Sequence, residues 1–305
     1  MAIPAITPYA MPVESELPKN KVSWKVDPSR SVLLVHDMQQ YFLDYYTVTE
    51  SPITELISHI QSIKSRCVDL GIPVFYTAQP GNQNPEDRAL LTDFWGPGLD
   101  DDINQTKVID EVAPSEDDIV LIKWRYSAFK RTKLLEMMRE QGRNQLIICG
   151  VYAHIGCLLT ASEAFMQDIK PFLVSDAVAD FSLEEHKMAI KYAAERCAVT
   201  ISTSRLLEQL NSGEQASAGG AVQENDDHGL TLNGLRIQIA DLLGESPSDI
   251  GDNENLVDIG MDSIRMMSLV EILRGKGAEI NFMQMAEKTT IAAWWELLSS
   301  QKVLA

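Results

Sequence analysis

The chain places its chemically capable side chains just beyond apolar runs. His36 and Asp37 follow SVLLV (31–35), Gln79 follows IPVFYT (72–77), Lys123 closes DIVLIKW (118–124), and Tyr152 to Cys157 follow QLIICGV (145–151). A carboxyl group, an amine and a thiol gathered at one place would be equipped for proton transfer or nucleophilic attack. Taken singly, each is ordinary. An Asp after a strand commonly caps a helix, and alternation within DIVLIKW would leave Lys123 as a solvated side chain. Much further along, GMDSI sets the hydroxyl of Ser263 directly before a helical pattern; in isolation such a Ser also reads as an N-cap.

A parallel sheet, whose strand ends share one edge, would let the first group converge. The four runs, with PFLVSD (171–176) and AVTIST (198–203), are short and β-branched, and amphipathic segments separate them. Ile53, Leu56, Ile57 and Ile60 fall at i, i+3, i+4 and i+7 before Gly71, and Leu134, Leu135 and Met138 precede Gly142 in the same way. Continuous apolar strands alternating with such helices predict an α/β class: a doubly wound, mostly parallel sheet flanked by helices on both faces. Ligands of these sheets sit at the carboxyl ends of the strands, so Asp37, Lys123 and the segment near Gly156 are expected to converge.

Residues 211–228, NSGEQASAGGAVQENDDH, lack apolar periodicity and read as a flexible linker between a domain over 1–210 and another over 229–305. Beyond it the strands stop. LTLNGLRIQIADLLG, GMDSIRMMSLVEILRGKG and TTIAAWWELLSS predict a small all-α bundle near the lower size limit for independent folding. Met266, Leu269, Val270 and Leu273 define its buried stripe on the Ser263 helix. Ile264 and Met267 lie off that stripe, as loose core or as a partner-facing patch.

Composition narrows the classes without choosing an activity. Acidic residues number 44 against 26 basic ones, a net charge of −18, which argues against nucleic acid or an anionic membrane as partner. No apolar run reaches a membrane span and the N-terminal residues do not resemble a secretory signal, so a cytoplasmic protein is expected. Cys67, Cys149, Cys157 and Cys197 show no zinc spacing among the five histidines and are expected to be reduced and buried.

Roughly residues 1–205 resemble the isochorismatase-like hydrolases, and most closely their true isochorismatase branch. The resemblance rests on LLVHDMQ ending a strand at Asp37, VLIKWRYSAF carrying Lys123, and GVYAHIGCLLTA opening a helix. The position where amidase relatives carry a nucleophilic Cys is here Gly156, with Cys157 one residue beyond. The branch acts on isochorismate, a vinyl ether with no acyl carbon for a thiolate to attack. Its cleavage requires a proton on the terminal methylene of the enolpyruvyl group. Water then captures the oxocarbenium ion, and the hemiketal collapses to pyruvate and 2,3-dihydro-2,3-dihydroxybenzoate. The resemblance makes Asp37 the general acid beside Lys123, with Gly156 leaving room for the substrate. It puts Gln79, Arg88 and Tyr152 against the substrate carboxylates and Phe42 and Trp95 in the apolar walls. Arg88 also reads as a solvated helix residue, and Trp95 as ordinary core. A Cys157-dependent amidohydrolase would need that side chain to swing by roughly 100° at the helix start. An inert hydrolase scaffold is the remaining alternative. No metal is expected, since the Asp/His cluster of metal-binding relatives is not recognisable, and a homodimer through this domain is.

Residues 229–302 are similar to acyl and peptidyl carrier proteins, whose Asp-Ser opens the second helix and bears 4′-phosphopantetheine as a phosphodiester, here on Ser263. A helix N-terminus suits that group through its free N–H donors. Together the halves resemble the bifunctional isochorismatase/aryl carrier proteins of catechol siderophore biosynthesis. The implied partners are a phosphopantetheinyl transferase, a 2,3-dihydroxybenzoate-AMP ligase and a condensation domain of a nonribosomal peptide synthetase.

Overall fold

The computed structural model describes residues 3–218, 232–243, 245, 250–275, 278 and 280–301. The chain divides into two compact units, Met1–Gly219 and Gly220–Ala305. In the first, the six apolar runs become six strands: β1 (Ser31–His36), β2 (Val74–Ala78), β3 (Ile119–Ile122), β4 (Gln145–Val151), β5 (Lys170–Ala179) and β6 (Val199–Ile201). Every neighbouring pair is parallel, in the order β3-β2-β1-β4-β5-β6.

Both faces of the sheet are covered, which is why the central strands are apolar throughout and not alternating. On one face Leu33, Val35, Tyr76 and Phe172 pack with Leu56, Ile60 and Ile63 of the helix Ile53–Asp69, and with Leu206 and Leu210. On the other, Val32, Leu34, Phe75 and Leu173 meet Leu134 and Met138 of the helix Leu134–Glu140, together with Ala161, Ala164, Ala189 and Ala193. The small residues bring the helices Leu158–Met166 and Leu183–Arg196 close to the sheet.

Leu206 and Leu210 belong to a helix, Thr203–Ala218, that runs into the stretch expected to be linker. Glu214, Gln215, Ala216 and Ala218 are acceptable helix formers, and an anchored helix extends at little cost once nucleated. Residues 219–228 of the expected linker lie outside the described residues. No helix among the described residues is long and apolar enough to cross a membrane.

In the second unit the helices Leu232–Leu243, Ser263–Gly275, Phe282–Glu287 and Ile291–Gln301 enclose their own core. Met266, Leu269, Val270 and Leu273 are buried there with Leu235, Ile239, Trp294 and Leu298. Trp294 donates its indole N–H to the Met285 carbonyl at 2.8 Å, so its one polar atom is satisfied inside the core.

Candidate active site

The strand order runs outward from β1 in one direction and from β4 in the other, so the crevice beyond β1 and β4 is the topological switch point. A cavity of about 580 Å³ of empty space, partly open to solvent, lies at these strand ends. Asp37, Lys123, Gly156, Gln79, Arg88, Tyr152, Phe42 and Trp95 all line it.

At its floor the Lys123 ammonium donates to Asp37 Oδ2 at 2.5 Å. Only 4% of Asp37 and 2% of Lys123 is exposed, so neither is the solvated side chain that alternation alone would allow. The chain leaves β1 at Asp37 with a φ of 48°, a left-handed conformation that Asp tolerates better than most residues. Thr77, at the end of β2, donates its hydroxyl to Asp37 Oδ1 at 2.6 Å and accepts the Asp37 N–H at 3.1 Å. Burial raises the pKa of Asp37, but the Lys123 charge and the hydrogen bonds from Lys123 and Thr77 outweigh it. They hold the carboxyl below the ordinary aspartate value. Without a ligand Asp37 is therefore a carboxylate.

Gly156 does line the cavity, but the space its missing side chain vacates is not available to a substrate. A Cβ built there would lie 2.0 Å from His36 Cε1 and 2.8 Å from each ring nitrogen. The imidazole of His36 fills the slot, which corrects the expectation that glycine serves to make room for the substrate.

Arg88 is not a solvated helix residue either: it is 4% exposed. Its Nε donates to the Gly96 carbonyl at 2.6 Å and its Nη1 to Gln83 Oε1 at 2.9 Å. Gly98 has a φ of +88°, and a Cβ there would lie 2.5 Å from Arg88 Nη1, so this turn needs glycine twice over. Among the described residues Arg88 has no ion-pair partner, and burial pulls its pKa below the usual arginine value. A buried, uncompensated guanidinium facing a cavity favours an anionic ligand.

Phe42, Tyr152, Phe181 and Trp95 form the aromatic wall, with Tyr152 and Phe181 ring centres 4.4 Å apart. Trp95 is half-buried and donates to the Tyr126 hydroxyl at 2.8 Å. The Tyr152 hydroxyl donates its proton to the Phe42 carbonyl at 2.7 Å, so in this arrangement Tyr152 meets the cavity as an aromatic face. The backbone N–H of Gln79 is held by Gln39 Oε1 at 2.7 Å. Sequence reasoning passed over Thr77, whose position as a polar residue at the carboxyl end of β2 was the available signal. It also passed over the role of His36, which depends on a contact across strands.

Cys157 is fully buried and does not line the cavity; burial pushes its thiol well above the ordinary cysteine value. The other three cysteines are buried too. Among the described residues His154, Asp180 and Glu185 place potential metal-ligand atoms within 4.8 Å of one another, a cluster not recognisable from spacing. His154 Nδ1 already pairs with Asp180 Oδ1 at 2.6 Å.

In the second unit Ser263 is the first residue of its helix and is exposed. The Asp262 carboxylate accepts the Arg265 N–H at 2.8 Å, so the capping role falls to Asp262 and the Ser263 hydroxyl is open for substitution. Met267 is 58% exposed; the side chain of Ile264 lies outside what is described.

Residues 31–205 match the isochorismatase domain family and residues 233–298 match the phosphopantetheine attachment site family. An isochorismatase of Bacillus subtilis (strain 168) is 59% identical over 306 residues, covering 100% of this chain and 98% of the relative. Enterobactin synthase component B of Escherichia coli (strain K12) is 46% identical over 301 residues, covering 99% of each. A cysteine hydrolase of Pseudomonas syringae pv. phaseolicola 1448A shares the fold, with a TM-score of 0.59 at 21% identity over 63% of this chain and 97% of that one. The chain belongs to the isochorismatase family and joins to that domain, in one polypeptide, a phosphopantetheine-binding carrier domain.

Proposed function

We propose that the first unit hydrolyses the vinyl ether of isochorismate to pyruvate and 2,3-dihydro-2,3-dihydroxybenzoate, with Asp37 as general acid and no cysteine nucleophile. The observation that carries this reading is the buried Asp37–Lys123 contact of 2.5 Å on the cavity floor, beside a residue 156 without a side chain. Arg88 binds one substrate carboxylate, as its unpaired buried charge favours, and Gln79 contributes to the same polar side. Phe42, Trp95 and Tyr152 hold the carbocyclic ring against apolar walls. Lys123 attracts the dianion and stabilises the Asp37 carboxylate left after proton transfer. Purified protein incubated with isochorismate should release pyruvate; absence of any keto acid would overturn the reading.

The electrostatics fix the sign of the pH dependence. Asp37 is ionised in the free protein because its pKa lies below the usual carboxylate range, yet it must be protonated in the reacting complex. Binding therefore takes up a proton, and kcat/KM should fall about tenfold per pH unit above that low pKa, through neutrality. The carboxylates of bound substrate offset Lys123 and raise the Asp37 pKa, so kcat should persist to higher pH than kcat/KM. A kcat/KM that climbs with pH through neutrality would contradict this assignment.

Against a thiol mechanism stand the burial of Cys157 and its absence from the cavity wall. Cys157→Ala should retain most of the turnover, whereas loss of a true nucleophile costs on the order of 10⁴-fold or more. Iodoacetamide inactivation with protection by substrate would favour the amidohydrolase alternative.

For the second unit, we infer that Ser263 is the attachment point of 4′-phosphopantetheine and that the unit carries 2,3-dihydroxybenzoate for nonribosomal siderophore assembly. An exposed hydroxyl on the first residue of a 13-residue helix fits the group, because the helix dipole favours a phosphodiester at that end. When attached, the group supplies a thiol able to hold an aryl acid as a thioester. Exposed Met267 supports a partner-facing surface. The matching partners are a phosphopantetheinyl transferase, a 2,3-dihydroxybenzoate-AMP ligase and a condensation domain.

A further inference from the structure

His36 is a fully enclosed polar side chain beside the reacting groups. Gly150 of β4 lies against its backbone, and Gly156, in the turn after β4, lies against its ring. A Cβ on Gly150, its register partner on β4, would lie 2.1 Å from the His36 carbonyl oxygen, and a Cβ on Gly156 would lie 2.0 Å from the ring. The ring reaches the end of β4, the loop after β3 and the residue that follows β1. Nδ1 is 2.9 Å from the Val151 carbonyl, Nε2 is 3.3 Å from the Tyr126 carbonyl, and Nδ1 is 3.8 Å from Asp37 Oδ2. Tyr126 in turn accepts the Trp95 indole proton. One imidazole thus connects the residue before the proton donor, the turn carrying Gly156, and the segment that positions an aromatic wall.

We propose that His36 is a positioning residue and that it and Gly156 form a matched pair. The imidazole occupies the volume that any side chain at residue 156 would need, which closes the site to a nucleophile from that position. From the same place it keeps Asp37 aligned with the end of β4 and the loop after β3. This rests on the functional reading above, because the group being aligned is the proposed acid. Its consequence is that glycine at 156 is required by a neighbouring side chain, and that restoring a cysteine there without changing His36 would force the ring out of place.

A cycle of variants in the full chain separates the two parts of the claim. Gly156→Ala alone must displace the ring, so the melting temperature of the hydrolase unit should drop by roughly 5 °C or more. Its kcat should fall on the order of 10²-fold, the cost of a displacement of about 1 Å at a reacting group. His36→Asn retains a donor near Nδ1 but vacates the ring volume; its kcat should fall at least about tenfold, with KM changed only a few-fold. In the double variant, Gly156→Ala should cost no further melting temperature, while kcat stays at the His36→Asn level. That pattern would mark one shared volume and one positioning role. Should His36→Asn not fold, His36→Ser, which also vacates the ring volume, carries the same cycle. The proposal is overturned if Gly156→Ala behaves as wild type, if the two melting penalties simply add, or if His36→Asn keeps full kcat. Wild-type protein that released no pyruvate would remove the functional reading, whereas the melting cycle needs no substrate and decides the steric claim alone.

Discussion

Asp37→Asn is expected to reduce pyruvate release by about 10²–10⁴-fold, the range a positioned acid contributes, while isochorismate still binds. Asparagine keeps the shape of the side chain and an oxygen for the Thr77 hydroxyl, which now donates to Asp37 Oδ1 at 2.6 Å. It has no acidic proton to give to an enolpyruvyl methylene. The change also leaves the Lys123 ammonium, 2% exposed, without its carboxylate. Stripping one partner from a buried ion pair costs several kcal/mol, about 3–5 in typical cases, so the apo variant should melt earlier. Dianionic substrate would offset the orphaned charge, and binding should recover part of that loss as a larger ligand-induced rise in melting temperature than wild type shows. Steady-state pyruvate release, set beside thermal shift with and without substrate, reads both effects. Near-normal turnover would eliminate Asp37 as the acid.

Ser263→Ala is expected to abolish covalent loading outright while leaving pyruvate release at the wild-type rate. The substitution removes the only oxygen of that side chain and with it the bond to the phosphodiester. The helix should persist, because the Asp262 carboxylate, not Ser263, accepts the Arg265 N–H at 2.8 Å. Incubation with coenzyme A and a phosphopantetheinyl transferase should add one arm to the wild-type mass and none to the variant. An arm on the variant would place the attachment elsewhere. A matching loss of hydrolysis would mean that the two units do not act independently.

Much of this architecture was legible in the residues themselves, for a physical reason. Strands buried on both faces must be apolar throughout, so SVLLV and QLIICGV announced themselves, and β1 and β4 occupy Ser31–His36 and Gln145–Val151. β3 was less readable. It covers only Ile119–Ile122 of DIVLIKW and lies at the sheet edge, where Val120 and Ile122 are exposed. Alternation on such a strand left Lys123 ambiguous; its burial comes from the cavity and from Asp37, which no local pattern encodes. Arg88 is buried by Gly98, Gly96 and Gln83, contacts made within a loop whose conformation depends on a left-handed glycine. The meaning of Gly156 was least legible of all. A missing side chain says nothing about what replaces it, and the replacement comes from β1, 120 positions earlier in the chain by subtraction of the residue numbers.

The same contacts bear on the chemistry proposed for this site. A cysteine at residue 156 would bring a nucleophile to the floor of the cavity, whereas here that volume holds an imidazole and the remaining reactive group is a carboxyl group beside an ammonium. Such a pair is suited to moving a proton to and from carbon and oxygen, not to forming an acyl bond.

The most direct measurement is a single turnover of isochorismate in deuterated, ¹⁸O-enriched water, with both products and the intact protein weighed by mass spectrometry. Delivery of a solvent-derived hydron to the methylene, followed by water attack on the carbon it activates, predicts pyruvate with one deuterium in its methyl group. The dihydrodiol should retain its original ether oxygen, and the protein mass should not change. An ¹⁸O label in the dihydrodiol, or a substrate-derived adduct on a cysteine, would contradict the account.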